Sequence, residues 1–189
     1  VSYFMGKPYI MGHTAEFVAH HLGISREEMD EVALRSHNNA ERATKDGSFA
    51  EEITPISVPQ RKRDPLIFDK DEHFRPGMTL EKLTSLPAAF IPKTGKVTAG
   101  NASGINDAAA AVVLMERSVA EKRGLTPMAR LVAYAHAGVD PQYMGIGPVP
   151  ASKLALQKAG LSVNDLDVIE ANEAFAAQAC AVTRDLGLD

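Results

Sequence analysis

"ASKLALQKAGLSVNDLDVIEANEAFAAQACAVTRDLG", residues 151–187, alternates helix, strand and helix, and that alternation decides the fold class. "ASKLALQKAG" is built from good helix formers and stops at Gly160; "EAFAAQACAVTRDLG" repeats the pattern and stops at Gly187. Between them "LDVIEANE" has a short apolar centre bounded by polar residues, as a strand does. Such alternation predicts an α/β fold with a partly buried sheet.

Working back toward the N-terminus, the loop "DPQYMGIGPVP" is dense in Gly and Pro, and "ARLVAYAHAGV" before it is apolar enough for a buried strand. In "KVTAGNASGINDAAAAVVLMERSVAEKRG" a small-residue turn, Ala99 to Gly104, precedes an Ala-rich helix that Gly124 terminates. "TAEFVAHHL" predicts a helix. A second helix follows it, N-capped by Ser25 with Glu28 three residues on, and ends at Gly47. Residues 51–86 mix a strand-like "EEITPISV" with Pro, Asp and basic residues and read as an excursion from the core layers, a kind of segment that often binds ligands.

The 189 residues are 45% hydrophobic and 23% charged, ordinary values for a globular protein of one or two domains. A net charge of -4 gives no electrostatic case for nucleic acid or an anionic membrane surface. The single cysteine excludes an internal disulfide framework and a Cys-rich zinc site. No apolar run approaches a membrane span and no signal-peptide pattern opens the chain, so a cytoplasmic protein with no nucleic-acid or membrane partner is expected. It begins at Val1 and stops at "DLGLD" just after a helix, where a sheet normally receives another strand, and so reads as a segment of a longer polypeptide.

His20 and His21 are adjacent, about 100° apart on a helix, and no metal site is expected. Cys180 lies among alanines without His, Lys or Arg in helical reach upstream, which marks a structural cysteine rather than a nucleophile. Asn172 follows a predicted strand and precedes a helix. That placement suits a ligand-facing residue at the C-terminal end of a strand and equally an N-cap. "TAGNASGIND" is open in the same way, between a turn relieved by glycine and a loop presenting Ser103 and backbone amides. "PQRKRD" reads as a solvated loop before an anion site. Met11 and Met144, each preceding Gly, fit core packing or a pocket wall.

Taken together, "MGHTAE", "TAGNASGINDAAAA", "VDPQYMGIGPVPA" and "EANEAFAAQACAV", in this order and at these separations, resemble the middle of a thiolase, most like the biosynthetic acetyl-CoA acetyltransferases. The resemblance implies a layered α/β thiolase-like fold, partial in extent. Residues 1–104 would be the loop domain covering the CoA site, 105–138 the end of the N-terminal core domain, and 139–189 the first half of the C-terminal core domain. It implies reversible Claisen condensation of acyl-CoA through a cysteine acyl-enzyme, with a second cysteine taking a proton from the α-carbon of the incoming acetyl-CoA. The oxyanions that form require preorganised donors.

Residue by residue, Asn172 matches the asparagine that positions a water in the oxyanion hole serving the enolate. Ser103 matches the serine contacting pantetheine, with Ala99 in the same loop. Met11, Met144 and Phe175 match apolar residues around the thioester, and Arg75 resembles the arginine beside the CoA nucleotide. Arg61 to Arg63 would steer the phosphates. The resemblance also implies a homodimer or homotetramer, no tightly bound cofactor, and a coenzyme A thioester as substrate. Three family features are missing from these residues: the nucleophilic cysteine motif, the Gly-His-Pro motif, and the glycine-rich motif with the second cysteine. Ile10 stands where biosynthetic members usually carry His, and Lys82 where serine is frequent. The alternative to the enzyme is a non-catalytic thiolase-like CoA-binding or scaffold subunit.

Overall fold

A computed structural model describes the backbone of residues 2–4 and 7–188, with side chains from Tyr9 onward. Strands β1 (Ser2–Phe4) and β2 (Lys7–Tyr9) form an antiparallel hairpin that leads into helix α1 (Met11–His21). Helix α2 (Arg26–Lys45) starts where its cap chemistry dictates. The Ser25 N–H donates to Glu28 Oε2 at 2.8 Å, and the Glu28 N–H donates to Ser25 Oγ at 3.1 Å. Two otherwise orphaned donors are satisfied reciprocally, as the sequence predicts. The helix ends before Gly47, whose φ of 74° is a conformation glycine adopts without a Cβ penalty.

The excursion is an antiparallel hairpin, β3 (Ile56–Gln60) and β4 (Arg63–Phe68), followed by the short α3 (Leu80–Thr84). "PQRKRD" therefore spans the hairpin turn, with Arg61 and Lys62 at the tip and Lys62 in the left-handed region. Helix α4 (Arg117–Lys122), a 3-10 turn (Pro141–Ile146), α5 (Pro148–Ala159) and α6 (Ala176–Leu186) complete the order.

The core gathers α1, α2 and α6. Ala15, Val18 and Ala19 of α1 meet Ala176, Ala177 and Ala181 of α6, with Ile24, Met29 and Val97 filling the remaining side. Small alanine faces let the helix backbones approach closely, which is why the Ala-rich α6 is buried along that face.

Three expected elements differ. The Ala-rich helix is confined to Arg117–Lys122, and residues 105–116 carry no regular element; "ARLVAYAHAGV" and "LDVIEANE" are likewise in no strand. Val113, Val132 and Val168 are 85%, 56% and 78% exposed. An extended run becomes a strand only when a neighbour takes its backbone N–H and C=O groups, and a short helix persists only when an apolar face is packed. Among the described residues the sheets are the two hairpins, so these segments have no strand to pair with.

Candidate active site

A cleft of about 880 Å³ opens between α2, the segment 73–78, α3 and the loop 98–104. Ala99, Ser103 and Arg75 line it together with Lys82, His37, Phe90 and Glu173. Residues far apart in sequence thus converge, and the hydrogen bonds that bring them together can be followed one by one.

The loop 98–104 is held from within by Asn101. Its Oδ1 accepts the Thr98 N–H at 2.8 Å, and its Nδ2 donates to Asp30 Oδ1 at 2.9 Å and to the Lys96 carbonyl at 3.1 Å. The same loop pairs with the segment before α6. The Ser103 N–H donates to the Ala174 carbonyl at 2.9 Å, the Ala176 N–H donates to the Asn101 carbonyl at 3.0 Å, and Ala102 bridges Phe175. Asn172 stands two residues before Ala174 and is exposed, while its neighbour Glu173 faces the cleft. Asn172 is not a helix cap: α6 begins at Ala176 and its N-cap position is Phe175. The N-cap reading of this asparagine is therefore set aside, and its amide is exposed.

Arg75 is tied to α2, its backbone N–H donating to His37 Nδ1 at 3.2 Å. The Gly77 N–H donates to Glu41 at 2.8 Å, and Lys82 Nζ donates to the Gly77 carbonyl at 2.8 Å. Met11, Met144 and Phe175 are not part of the cleft lining. Phe175 reaches it through Phe90, whose ring meets it edge-on at 6.5 Å. Phe90 in turn lies on Gly12, next to Met11. A Cβ at Gly12 would fall 2.2 Å from the Phe90 ring, so any larger residue there would have to displace that ring. Met11 and Met144 are both about half exposed, and the Met144 turn is seated on α6 by Gln178, whose Nε2 donates to the Gly145 carbonyl at 3.0 Å.

A second cavity of about 830 Å³ adjoins the first through His73 and Arg75. Its rim carries Glu52, Asp69, Asp71 and Glu72 against Lys70 and Arg75. Like charges repel a polyanion, so the first cleft, where Arg75 and Lys82 are opposed by fewer carboxylates, is the less repulsive of the two toward an anion. Arg61 to Arg63, at the far end of the hairpin from Ile56 and Phe68, line neither. Any action they have on an anion is at a distance.

Burial, reinforced by the Arg75 charge and by neighbouring His73, holds the His37 imidazole below its ordinary value against an opposing hydrogen bond with Gly100. A neutral ring suits Nδ1 as acceptor for the Arg75 N–H. The Cys180 thiol is pushed up by burial and by the Glu28 carboxylate, so it is a poor thiolate, in keeping with a cysteine that packs. The Glu173 carboxyl is raised by burial, which outweighs the Ser36 hydroxyl and the Arg35 charge. A raised folded value means the carboxyl stabilises the fold fully below the ordinary Glu range and loses that contribution as pH rises through the folded value. Glu173→Gln should therefore raise Tm at pH 7–8 by roughly 1–3 °C and leave it unchanged near pH 4. Thermal melts at both pH values check this, and equal shifts at both would contradict it.

Phe90, His37, Glu173 and the Asp30–Asn101 pair are site residues that the sequence motifs alone did not single out. Only the last left a local trace, a charged residue on the apolar face of α2 between Met29 and Ala33. Among the described residues no cluster of His, Cys, Asp or Glu suits a metal ion, and no helix is long and apolar enough to cross a membrane.

Two family models match the chain: the thiolase N-terminal domain over residues 4–118 and the thiolase C-terminal domain over residues 125–189. The chain is similar to the beta-ketothiolase BktB of Cupriavidus necator, with 62% identity over 179 residues, covering 95% of this chain and 45% of that protein. Its fold is similar to the crystal structure of the Bacillus anthracis acetyl-CoA acetyltransferase at a TM-score of 0.89 and 50% identity, covering 95% of this chain and 45% of that one. It is also similar to human mitochondrial 3-ketoacyl-CoA thiolase in complex with CoA, at a TM-score of 0.81 and 46% identity over 95% of this chain and 44% of that one. The chain thus spans about 45% of the length of the relatives it matches.

Proposed function

Because this chain belongs to the thiolase family, we propose that the protein is an acetyl-CoA C-acetyltransferase, in which these residues bind the CoA thioester and stabilise its enolate oxyanion. The supporting observation is the short antiparallel pairing of residues 101–103 with 174–176. It places Ala99 and Ser103, in a cleft that also holds Arg75 and Lys82, beside the segment that carries Asn172. A phosphate-bearing ligand with a thioester at the end of a long arm needs both features: cations at one end and an exposed amide at the other.

In this proposal residues 1–104 form the lid over CoA, and Arg75 and Lys82 attract its phosphates. The loop 98–104 meets the pantetheine chain. Asn172 orients the water that donates to the thioester oxygen as negative charge develops there. Phe90 and Phe175, with Met11 and Met144 nearby, keep bulk water from the acyl end, where exclusion of water strengthens every polar interaction. Cys180 has no chemical part; the acylated cysteine and the proton-abstracting cysteine come from chain beyond these residues. CoA is the substrate carrier, no cofactor is held, and the working protein is a homodimer or homotetramer.

The test uses the natural gene product that contains these residues. Acetyl-CoA condensation is followed by CoA release, and CoA binding by its effect on Tm. Turnover together with a rise in Tm that grows with CoA concentration is expected. A Tm rise without turnover would instead mark a non-catalytic CoA-binding subunit. Absence of both would overturn the proposal.

A further inference from the structure

Asp30 is completely buried, yet it is a carboxylate on a helix face otherwise given to Met29 and Ala33. A buried charge is retained at a cost unless every oxygen is engaged. Here both are. Arg26 Nε donates to Oδ2 at 2.7 Å and Asn101 Nδ2 donates to Oδ1 at 2.9 Å. Arg26 is itself spent on the chain: its Nη2 donates to the carbonyls of Leu83 at 2.7 Å and Leu86 at 3.1 Å. Asn101 is 3% exposed, and its amide turns inward, away from the cleft its backbone lines.

We propose that the buried Asp30–Asn101 pair is the positioning device for the CoA-facing loop 98–104, and so a determinant of thioester affinity although neither side chain reaches the ligand. The inference rests on the CoA reading of the cleft. An apolar pair of equal volume would fill the same space, but it would leave the loop free to slide along α2. An amide donating to a fixed carboxylate while accepting from the Thr98 N–H allows one orientation only. Through Arg26 the same carboxylate fixes the end of α3, whose Lys82 stands on the opposite wall of the cleft. Both walls are thereby referred to a single point on α2. The backbone bonds Ser103 to Ala174 and Ala176 to Asn101 then carry the loop's placement toward Asn172.

The experiment is a swap in the natural gene product. Asn101→Asp brings two carboxylates face to face, Asp30→Asn brings two amides together, and the double variant Asp30→Asn/Asn101→Asp restores one donor facing one acceptor between the two positions, while the Lys96 carbonyl still lacks the donor that Asn101 gives it. Each single variant should raise KM for the acetyl-CoA thioester about tenfold and lower kcat less than threefold, because the backbone bonds to the Asn172 segment persist; the double variant should recover part of the KM change, the lost bond to the Lys96 carbonyl keeping it short of wild type. If the single variants do not fold, Asn101→Ser carries the test. Its hydroxyl is too short to span to Asp30, and the same rise in KM is expected. An unchanged KM in folded variants overturns the inference, as does a loss of Tm with no recovery of KM in the double variant. A wild-type protein that neither binds nor turns over CoA thioesters would instead overturn the functional proposal, so the two failures are distinguishable.

Discussion

Replacing Asn172 with alanine in the natural gene product is expected to lower acetyl-CoA condensation by about 10- to 1,000-fold in kcat, the range over which loss of one oxyanion-hole element falls. Asn172 is exposed and lies outside the cap of α6, so its removal takes nothing from the helix and should shift stability by no more than about 0.5 kcal/mol. A catalytic loss with an unchanged melt is therefore the signature sought. The deficit should lie in kcat, because an interaction made as charge develops contributes to the transition state and little to ground-state binding. KM for acetyl-CoA, which the proposal assigns to Arg75, Lys82 and the loop 98–104, should move less than threefold in this variant. Steady-state kinetics in the condensation direction, alongside a thermal melt, supply both numbers. A kcat within twofold of wild type would remove Asn172 from the chemistry.

Local signals gave a faithful account wherever the physics is local. Ser25 with Glu28, and Gly47 after α2, are satisfied within a few residues, so their reading needs no tertiary partner. The same holds for α5 and α6, which end at Gly160 and Gly187 in the left-handed conformation. Local signals misled where an element depends on something to pack against. Ala108 to Ala111 are excellent helix formers, but propensity adds only tenths of a kcal/mol per residue and cannot hold a helix that buries no face. The apolar runs around Val132 and Val168 have strand composition but, among the described residues, no strand beside them.

The site divides the same way. Ala99, Ser103 and Arg75 were placed by motif and share the cleft, whereas Met11, Met144 and Phe175 lie outside its lining. Phe90 was invisible because its position is set by the missing side chain of Gly12, almost eighty residues earlier. The link between His37 and the Arg75 backbone is equally nonlocal.

The largest effect on stability is expected at Glu16, in the motif "MGHTAE". It is 5% exposed, and its carboxylate is the acceptor for two backbone donors. The Lys96 N–H lies 2.8 Å from Oε2 and 3.0 Å from Oε1, and the Val97 N–H lies 2.9 Å from Oε1. Val97 is fully buried, so its N–H is far from bulk water. Glu16→Ala would strand both donors at about 1–3 kcal/mol each and open a void besides, for a total loss of about 3–5 kcal/mol. That is a large share of the 5–15 kcal/mol by which folded proteins of ordinary size are stable. The carboxylate is closely enclosed: a Cβ at Gly95 would lie 2.5 Å from the Ile91 carbonyl oxygen and 2.6 Å from Glu16 Oε1. Glu16→Gln should cost roughly half as much, because one amide oxygen still accepts while the NH₂ group faces the Lys96 donor. Denaturant titration of the natural gene product should show the midpoint falling in that order with the slope unchanged. The segment these bonds hold runs directly into Thr98 and the loop 98–104, so under the proposal that this loop meets CoA, saturating CoA should raise the melting temperature of the same variants less than that of wild type. A loss below about 1 kcal/mol for Glu16→Ala would mean that water reaches Lys96 and Val97 and that the carboxylate is not what holds them.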